Sequence, residues 1–325
     1  RLYLSFCLSH RKPWSVRNIG VSIRLFVSYW RDSHANDLFC WSKVTLEHLH
    51  GFLGVGLSTP EQGNHFSRVR AFYHWATHVL NAPEFEPRIA TQLKSIRAVG
   101  NKKGEAVESW APTKGPLTRE EVHLLLRAIY DGVGSRQERL TTLVLLELGL
   151  RPGELALIRG QHYIATTVPV EEADGTKGTR TFHHLWVPKL KDRAGRPMRW
   201  KMRPISNFLG EEIARRRVAP DAPLVPEVHM HGSRGANRLL RSLVKKARII
   251  SPRTGKRLDI SSYRLRRTLG TRVAMEGGSR VQIAEILNHA DLQNVECYIN
   301  AAAREMQEID AALENSEYKP VVKRF

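Results

Sequence analysis

The sequence predicts a mainly α-helical fold with one small antiparallel β-sheet, an α+β architecture in two domains. Three observations carry this. The chain has 325 residues, about twice the ~150 of one domain. Most of it places apolar residues at helical spacing. Only residues 162–206 switch to the shorter period of strands.

Residues 1–100 read as a helical domain. Ile19 to Trp30 carries apolar residues at 19, 23, 26, 27 and 30, a near-3.6 period. Asn64 to Leu80 gathers Phe66, Val69, Phe72, Tyr73, Ala76 and Val79 on one broad face, with Arg68, Arg70, His74 and His78 elsewhere. Gly51–Pro60 between them reads as a loop. Lys102, Lys103, Gly104, Pro112, Lys114, Gly115 and Pro116 make residues 101–116 an extended basic linker. The second domain, 117–325, opens with Thr118 as N-cap and Glu121 completing a capping box. A strongly apolar helix, Glu138 to Leu148, is closed by Gly149 as C′ residue. His184–Pro188 and Met198–Met202 read as strands joined by the turn 192–197. Helices are expected at 208–217, 233–249, 262–276, 279–288, 291–299 and 301–315, the last beginning a C-terminal tail, 301–325.

The net charge is +19, with 15 Lys/Arg against 8 Asp/Glu in residues 1–115 and 36 against 24 in the remainder. Both halves are basic, which excludes a basic tail on a neutral enzyme and favours polyanionic partners. Between Glu227 and Asp259 stand nine basic residues and no acid. Arg234, Arg238, Arg241, Lys245 and Arg248 step by four, three, four and three, which puts them on one helical face, opposite a packing face of Leu239, Leu240, Leu243 and Val244. A merely solvated stripe usually carries interspersed acids, so this one is assigned to phosphate contact, which positions a protein without reading sequence.

Cys7, Cys40 and Cys297 form no disulfide framework and point to a reducing compartment. No apolar run approaches the ~20 residues that span a bilayer, and no membrane partner is expected. The chain opens on Arg1 rather than Met, so an upstream stretch is expected. His183/His184 and His229/His231 lack further ligands at site spacing, so no metal is expected, and without a Walker-type glycine loop no ATP or other cofactor.

Chemistry concentrates around an ordered set of residues. Arg151 sits in Gly149-Leu150-Arg151-Pro152-Gly153-Glu154-Leu155, Arg266 in Tyr263-Arg264-Leu265-Arg266-Arg267-Thr268, and His289 follows Leu287-Asn288. Tyr298 comes nine positions later. Guanidinium groups match phosphate oxygens with paired donors and stay charged, so two arginines, a histidine and a late tyrosine can hold a phosphodiester and attack it with a phenol.

These four segments resemble, in order and register, the boxes of the tyrosine recombinases, the family of phage integrases. The segment around Arg151 resembles the first arginine box, with Glu154 in support. Tyr263 to Thr271 is similar to the second, usually His-x-Leu-Arg-His-Thr-Phe-Ala-Thr. Ile286 to Ala290 is similar to the Leu-Gly-His segment, and the step to Tyr298 matches that to the nucleophile. The resemblance covers about 115–300. Residues 15–100 fit the family's helical core-binding domain in character, Arg68 to Ala76 above all, which makes Arg68 and Arg70 candidate DNA contacts.

The resemblance implies a site-specific recombinase or integrase acting on double-stranded DNA recombination sites through a 3′-phosphotyrosine. Tyr298 would attack, Arg151 and Arg266 would hold the phosphate with Tyr263 and His289 assisting, and a hairpin lysine would protonate the leaving 5′ oxygen. Lys191, just before the turn, is favoured for that role; Lys189 and Lys201 are the alternatives. Tyr263 stands where the family has histidine; a phenol can donate to a phosphate oxygen but is a poor base near neutral pH. The two domains would embrace DNA. Four protomers would assemble on two sites, monomeric when free, with the C-terminal segment docking on a neighbour and accessory proteins as further partners. The location implied is cytoplasmic, on the nucleoid. The alternatives are a type IB topoisomerase-like relaxing enzyme, which shares the chemistry, and a non-catalytic DNA-binding protein on the same scaffold.

Overall fold

Aromatic side chains at helical spacing build the first of two compact units, residues 1–102, the second being 103–325. The structure, a computed structural model, describes residues 2–9, 13–34, 37–54, 60–96, 104–171, 177–190, 198–289 and 292–314. In the first unit run α1 (Leu2–Leu8), α2 (Pro13–Ser33), α3 (Leu46–Gly54), α4 (Pro60–His78) and α5 (Pro87–Ser95). Ile19, Phe26 and Trp30 of α2 pack with Phe66, Val69 and Tyr73 of α4 and Leu93 of α5. Of the loop expected over 51–60, residues 51–54 belong to α3 and Pro60 opens α4, while 55–59 lie outside the described residues. Gly51 and Gly54 mislead there, since Leu49, Phe52 and Leu53 supply a buried helical face, and a Cβ at Gly51 would collide with the Tyr29 hydroxyl.

The second unit begins with a short turn, α6 (Glu105–Glu108), then α7 (Arg119–Tyr130), α8 (Arg136–Leu148) and α9 (Pro152–Leu155). From Gly104 onward the segment read as linker is instead packed into this unit: α6 lies against the last helix, and Val107 is buried. Thr118 and Glu121 form the expected capping box on α7, and Ser135 with Glu138 forms another on α8. Gly149 ends α8 at φ +59°; a Cβ there would lie 2.7 Å from Leu269 Cδ2.

One antiparallel sheet follows, β1 (Tyr163–Glu171), β2 (Lys177–Lys189) and β3 (Arg199–Ile205), in that spatial order. The expected hairpin is the β2–β3 pair, with Lys189 opposite Arg199 and Leu185 opposite Arg203. β1 and the first half of β2 extend the sheet beyond the sequence reading; they are mostly exposed, with Tyr163, Val168, Val170 and Thr181 half-buried and alternation confined to 168–171 of β1. Residues 191–197, including Lys191, lie outside the described residues.

Five helices complete the unit: α10 (Asn207–Ala214), α11 (Pro226–Lys246), α12 (Ser262–Met275), α13 (Arg280–Ile286) and α14 (Glu296–Glu314). α11 starts earlier than expected but is interrupted at Gly232 (φ +52°, ψ −126°), immediately before the expected start. The two helices expected at 291–299 and 301–315 are one: a 3₁₀ turn at Leu292–Asn294 precedes a continuous α14. Its alanines, Ala301 to Ala303, carry the helix on where a break was expected.

A buried carboxylate ties the unit together. Glu121 accepts from Arg253 Nη2 (2.7 Å), Arg264 Nη2 (3.5 Å) and the Ser251 hydroxyl (2.5 Å). Arg264 is 1% exposed and also donates from Nε to Gly115 O at 2.9 Å. One arginine of the second box therefore fastens α12 to the segment before α7, and Arg266 serves elsewhere.

Candidate active site

Pro152 at the first helical position starts α9 and makes Arg151 its N-cap. Glu154, fully buried, accepts from the Arg151 backbone N–H at 2.7 Å and from its Nη1 at 3.1 Å. The carboxylate thus fixes both ends of Arg151, whose side chain keeps 18% exposure.

Arg266 sits in the middle of α12, 5% exposed. Its Nη1 donates to Gly149 O at 2.6 Å, and its Nη2 donates to Leu287 O. One guanidinium therefore bridges the end of α8 and the end of α13. Burial, then the nearby charge of Arg151, pushes its pKa down to about 10; Glu154, Tyr298 and Tyr263 act in the opposite direction. It stays a cation at neutral pH, and two backbone carbonyls occupy only part of a fork of about five N–H donors.

Tyr298 lies in the first turn of α14, 6% exposed, in an apolar cluster with Val107, Leu269, Ile283, Leu287, Val295 and Ala301. Gly270 makes room for its ring: a Cβ there would stand 2.8 Å from Tyr298 Cε1. Burial raises the phenol's pKa, with Cys297 adding to the rise, while the charges of Arg266, Arg267 and Arg151 pull it down. The phenol makes no hydrogen bond among the described residues. The fold has brought a neutral hydroxyl into the field of three cations separated from it by up to about two thirds of the second unit in sequence.

His289 is placed by the end of α13. The Asn288 N–H donates to Glu285 O at 3.2 Å and the His289 N–H to Ala284 O at 2.8 Å, a Schellman closure with Asn288 left-handed at φ +49°. Asparagine tolerates that conformation, as the Asn-for-Gly departure requires. Tyr263, in the first turn of α12, is 58% exposed and within the electrostatic reach of Arg266.

The sheet's inner face adds further cations. Strand alternation puts Lys189, Lys201 and Arg203 on the face that buries Leu185 and Val187. Lys201 pairs with Glu285; that pairing, together with Arg203 and Lys189, lowers the Glu285 pKa. Arg203 donates from Nη2 to Glu285 O at 2.6 Å and to Asn288 Oδ1 at 3.3 Å. Sequence reading missed Arg203 and Glu285; the available signal was the period-two step from Lys201 to Arg203 on the return strand.

The basic stripe is placed less uniformly than its spacing implied. Arg234, Arg238, Arg241 and Lys245 of α11 line a groove of about 900 Å³ with Arg257 and Asp259. Arg238 pairs with Glu227, so an acid does enter the stripe. Arg248 leaves it: α11 ends at Lys246 and Arg248 turns left-handed at φ +51°. Lys246 and Arg253 turn to Glu138 and Glu121. In the first unit Arg68 donates to the Ser22 hydroxyl at 3.3 Å, and Arg70 donates to Ile96 O at 2.8 Å, closing the end of α5. Among the described residues, no group of three or more His, Cys, Asp or Glu is placed to hold a metal, and no helix is long and apolar enough to cross a membrane.

No family model matches the sequence, and no curated protein does. Solved structures do match. The chain is similar to the XerH site-specific recombinase bound to difH substrate in a pre-cleavage complex, at 15% identity over 92% of this chain and 79% of that one, TM-score 0.57. It is similar to a lambda integrase dimer bound to a COC' core site, at 14% identity over 93% and 76%, TM-score 0.56. The Tn1549 transposon integrase in complex with transposon right end DNA gives 14% identity over 90% and 94%, TM-score 0.51. At these identities the likeness is one of fold.

Proposed function

We propose that this chain, which has the fold of the tyrosine recombinases, is a site-specific DNA recombinase or integrase working through a 3′-phosphotyrosine. One observation carries the reading: Arg151, Arg266 and Tyr298, from three separate elements, converge so that both guanidinium charges act on one buried phenol. The Tyr298 oxygen attacks phosphorus as the bond to the 5′ oxygen breaks. Its proton passes to His289 or water, because Tyr263, a phenol, accepts protons poorly. Arg151 and Arg266 take the charge that builds on the non-bridging oxygens, where fixed donors in a shielded site act most strongly. A lysine of the β2–β3 hairpin, Lys191 or Lys189, protonates the leaving oxygen. The covalent bond conserves the energy for rejoining, so neither cofactor nor metal is needed.

The groove along α11 holds DNA phosphates through Arg234, Arg241 and Lys245, with Arg68 of the helical domain, residues 1–100, adding contacts. Strand exchange needs a second attack by a partner's 5′-hydroxyl, hence four protomers on two sites, free monomers, action on the nucleoid, and room for accessory proteins. The test is incubation with nicked duplexes selected from a randomised pool. A covalent adduct that Tyr298→Phe abolishes, on paired sites occupied by four protomers, supports the reading. Adduct with relaxation by a monomer makes the protein a topoisomerase-like enzyme; binding without adduct makes it a non-catalytic DNA-binding protein.

A further inference from the structure

We propose that Arg203 is a positioning residue for His289, acting through the side chain of Asn288, and that this accounts for an asparagine where glycine would serve. Its catalytic consequence rests on the function proposed above; its structural consequence rests on geometry alone.

The left-handed position of a Schellman closure needs no side chain, and glycine is the usual occupant. Asn288 fills that position here and is 4% exposed. Its Oδ1 accepts from the same Arg203 Nη2 that donates to Glu285 O. A single nitrogen therefore grips the end of α13 twice, once on backbone and once on side chain. A cation at a helix C-terminus is also favoured by the helix dipole. Two residues on, Leu287 O is held by Arg266, so two arginines from different elements hold alternate carbonyls of the turn that leads into His289.

The other end of the contact matters as much. Arg203 lies on β3, on the same sheet face as Lys189 and Lys201, and Lys201 pairs with the Glu285 carboxylate. The strand pair that leads to the hairpin lysine and the helix end that presents His289 are thus fastened to each other. Burial lowers the Arg203 pKa and Glu285 and Glu154 raise it, so its cation is compensated by the turn and by the carboxylate that fixes Arg151. A cation serving only solubility would sit in water.

The experiment compares Arg203→Met, Asn288→Gly and the double variant. Asn288→Gly removes the acceptor while suiting φ +49°, so it should fold even if Arg203→Met does not. Amide exchange of the 284–289 segment should accelerate about tenfold in either single variant, and no further in the double, with exchange along α11 unchanged. In single turnover, the rate of Tyr298 adduct formation should fall about ten- to a hundredfold at unchanged DNA affinity, as for a misplaced catalytic group. Unchanged exchange at 284–289 in both single variants overturns the proposal. Raised exchange with an undiminished adduct rate overturns its catalytic half. Absence of any adduct in the wild type overturns the proposed function, and the exchange result still decides the positioning.

Discussion

Glu154→Gln should cost stability and activity together, because a single buried carboxylate holds Arg151 at both ends. It accepts from the backbone N–H at 2.7 Å and from Nη1 at 3.1 Å. The amide keeps the volume and one carbonyl acceptor, so one bond survives; its NH₂ must face the other donor. Breaking a buried pair from one side costs about 3–5 kcal/mol. Arg151 keeps 18% side-chain exposure, and solvent reaches part of the freed charge, which reduces the expected loss to about 2–3 kcal/mol. Urea denaturation of Glu154→Gln, Arg151→Met and the double variant measures this as a cycle. The double variant leaves no stranded cation and should be more stable than the sum of the single losses implies, by about 1–2 kcal/mol. Single-turnover cleavage should fall about a hundredfold in Glu154→Gln through misplacement of Arg151. Additive stability losses, or a wild-type cleavage rate, would show that Glu154 does not hold Arg151 in place.

Further consequences follow from the same geometry. Burial alone would raise the Glu121 pKa, but its bonds from Arg253, Ser251 and Thr118 outweigh that and hold it below the ordinary 4.5. Stability from this group is therefore present above about pH 4.5 and lost as pH falls through the lower folded value; Glu121→Gln should flatten acid denaturation curves and cost about 3 kcal/mol near neutrality, while an unaltered acid limb would contradict it. Gly-to-Ala exchanges inside helices usually stabilise by about 0.5–1 kcal/mol; Gly270→Ala should instead destabilise by about 1–2 kcal/mol and slow adduct formation, since its Cβ would meet Tyr298 Cε1 at 2.8 Å and Leu287 Cδ1 at 2.9 Å. Because burial raises the Tyr298 pKa, cleavage with limiting enzyme should rise with pH through the neutral range. It should turn over only where Arg266 discharges, near 10; a plateau starting near neutrality would count against a raised phenol.

Much of the scaffold was legible where local chemistry dictates structure. Thr118 and Glu121 announce a capping box, Gly149 a left-handed helix end, and the apolar period of α8 a buried helix. The resemblance of four short boxes selected Arg151, Arg266, His289 and Tyr298, and in the fold the charges of two of them, Arg151 and Arg266, act on the phenol of a third, Tyr298. What escaped depends on long-range pairing. Arg253 and Arg264 look like further members of a basic surface, but Glu121, more than a hundred positions upstream, draws them inside. Arg203 carries no local mark, because its partner is a turn that another helix supplies. α3 was hidden by its own glycines, and the join between Tyr298 and the C-terminal helix by an expected break that the alanines do not make. Arg248 had the spacing of the stripe, but spacing holds only while the helix lasts, and α11 ends before it.

Tyr298 is the proposed nucleophile, with Tyr263 in support. The measurement that tests it most directly is peptide mapping by mass spectrometry of the protein trapped on a nicked duplex. A nucleotide should be linked to the peptide carrying Tyr298, and the adduct should survive Tyr263→Phe at reduced rate. A nucleotide on the peptide carrying Tyr263, or an adduct undiminished in Tyr298→Phe, would contradict it.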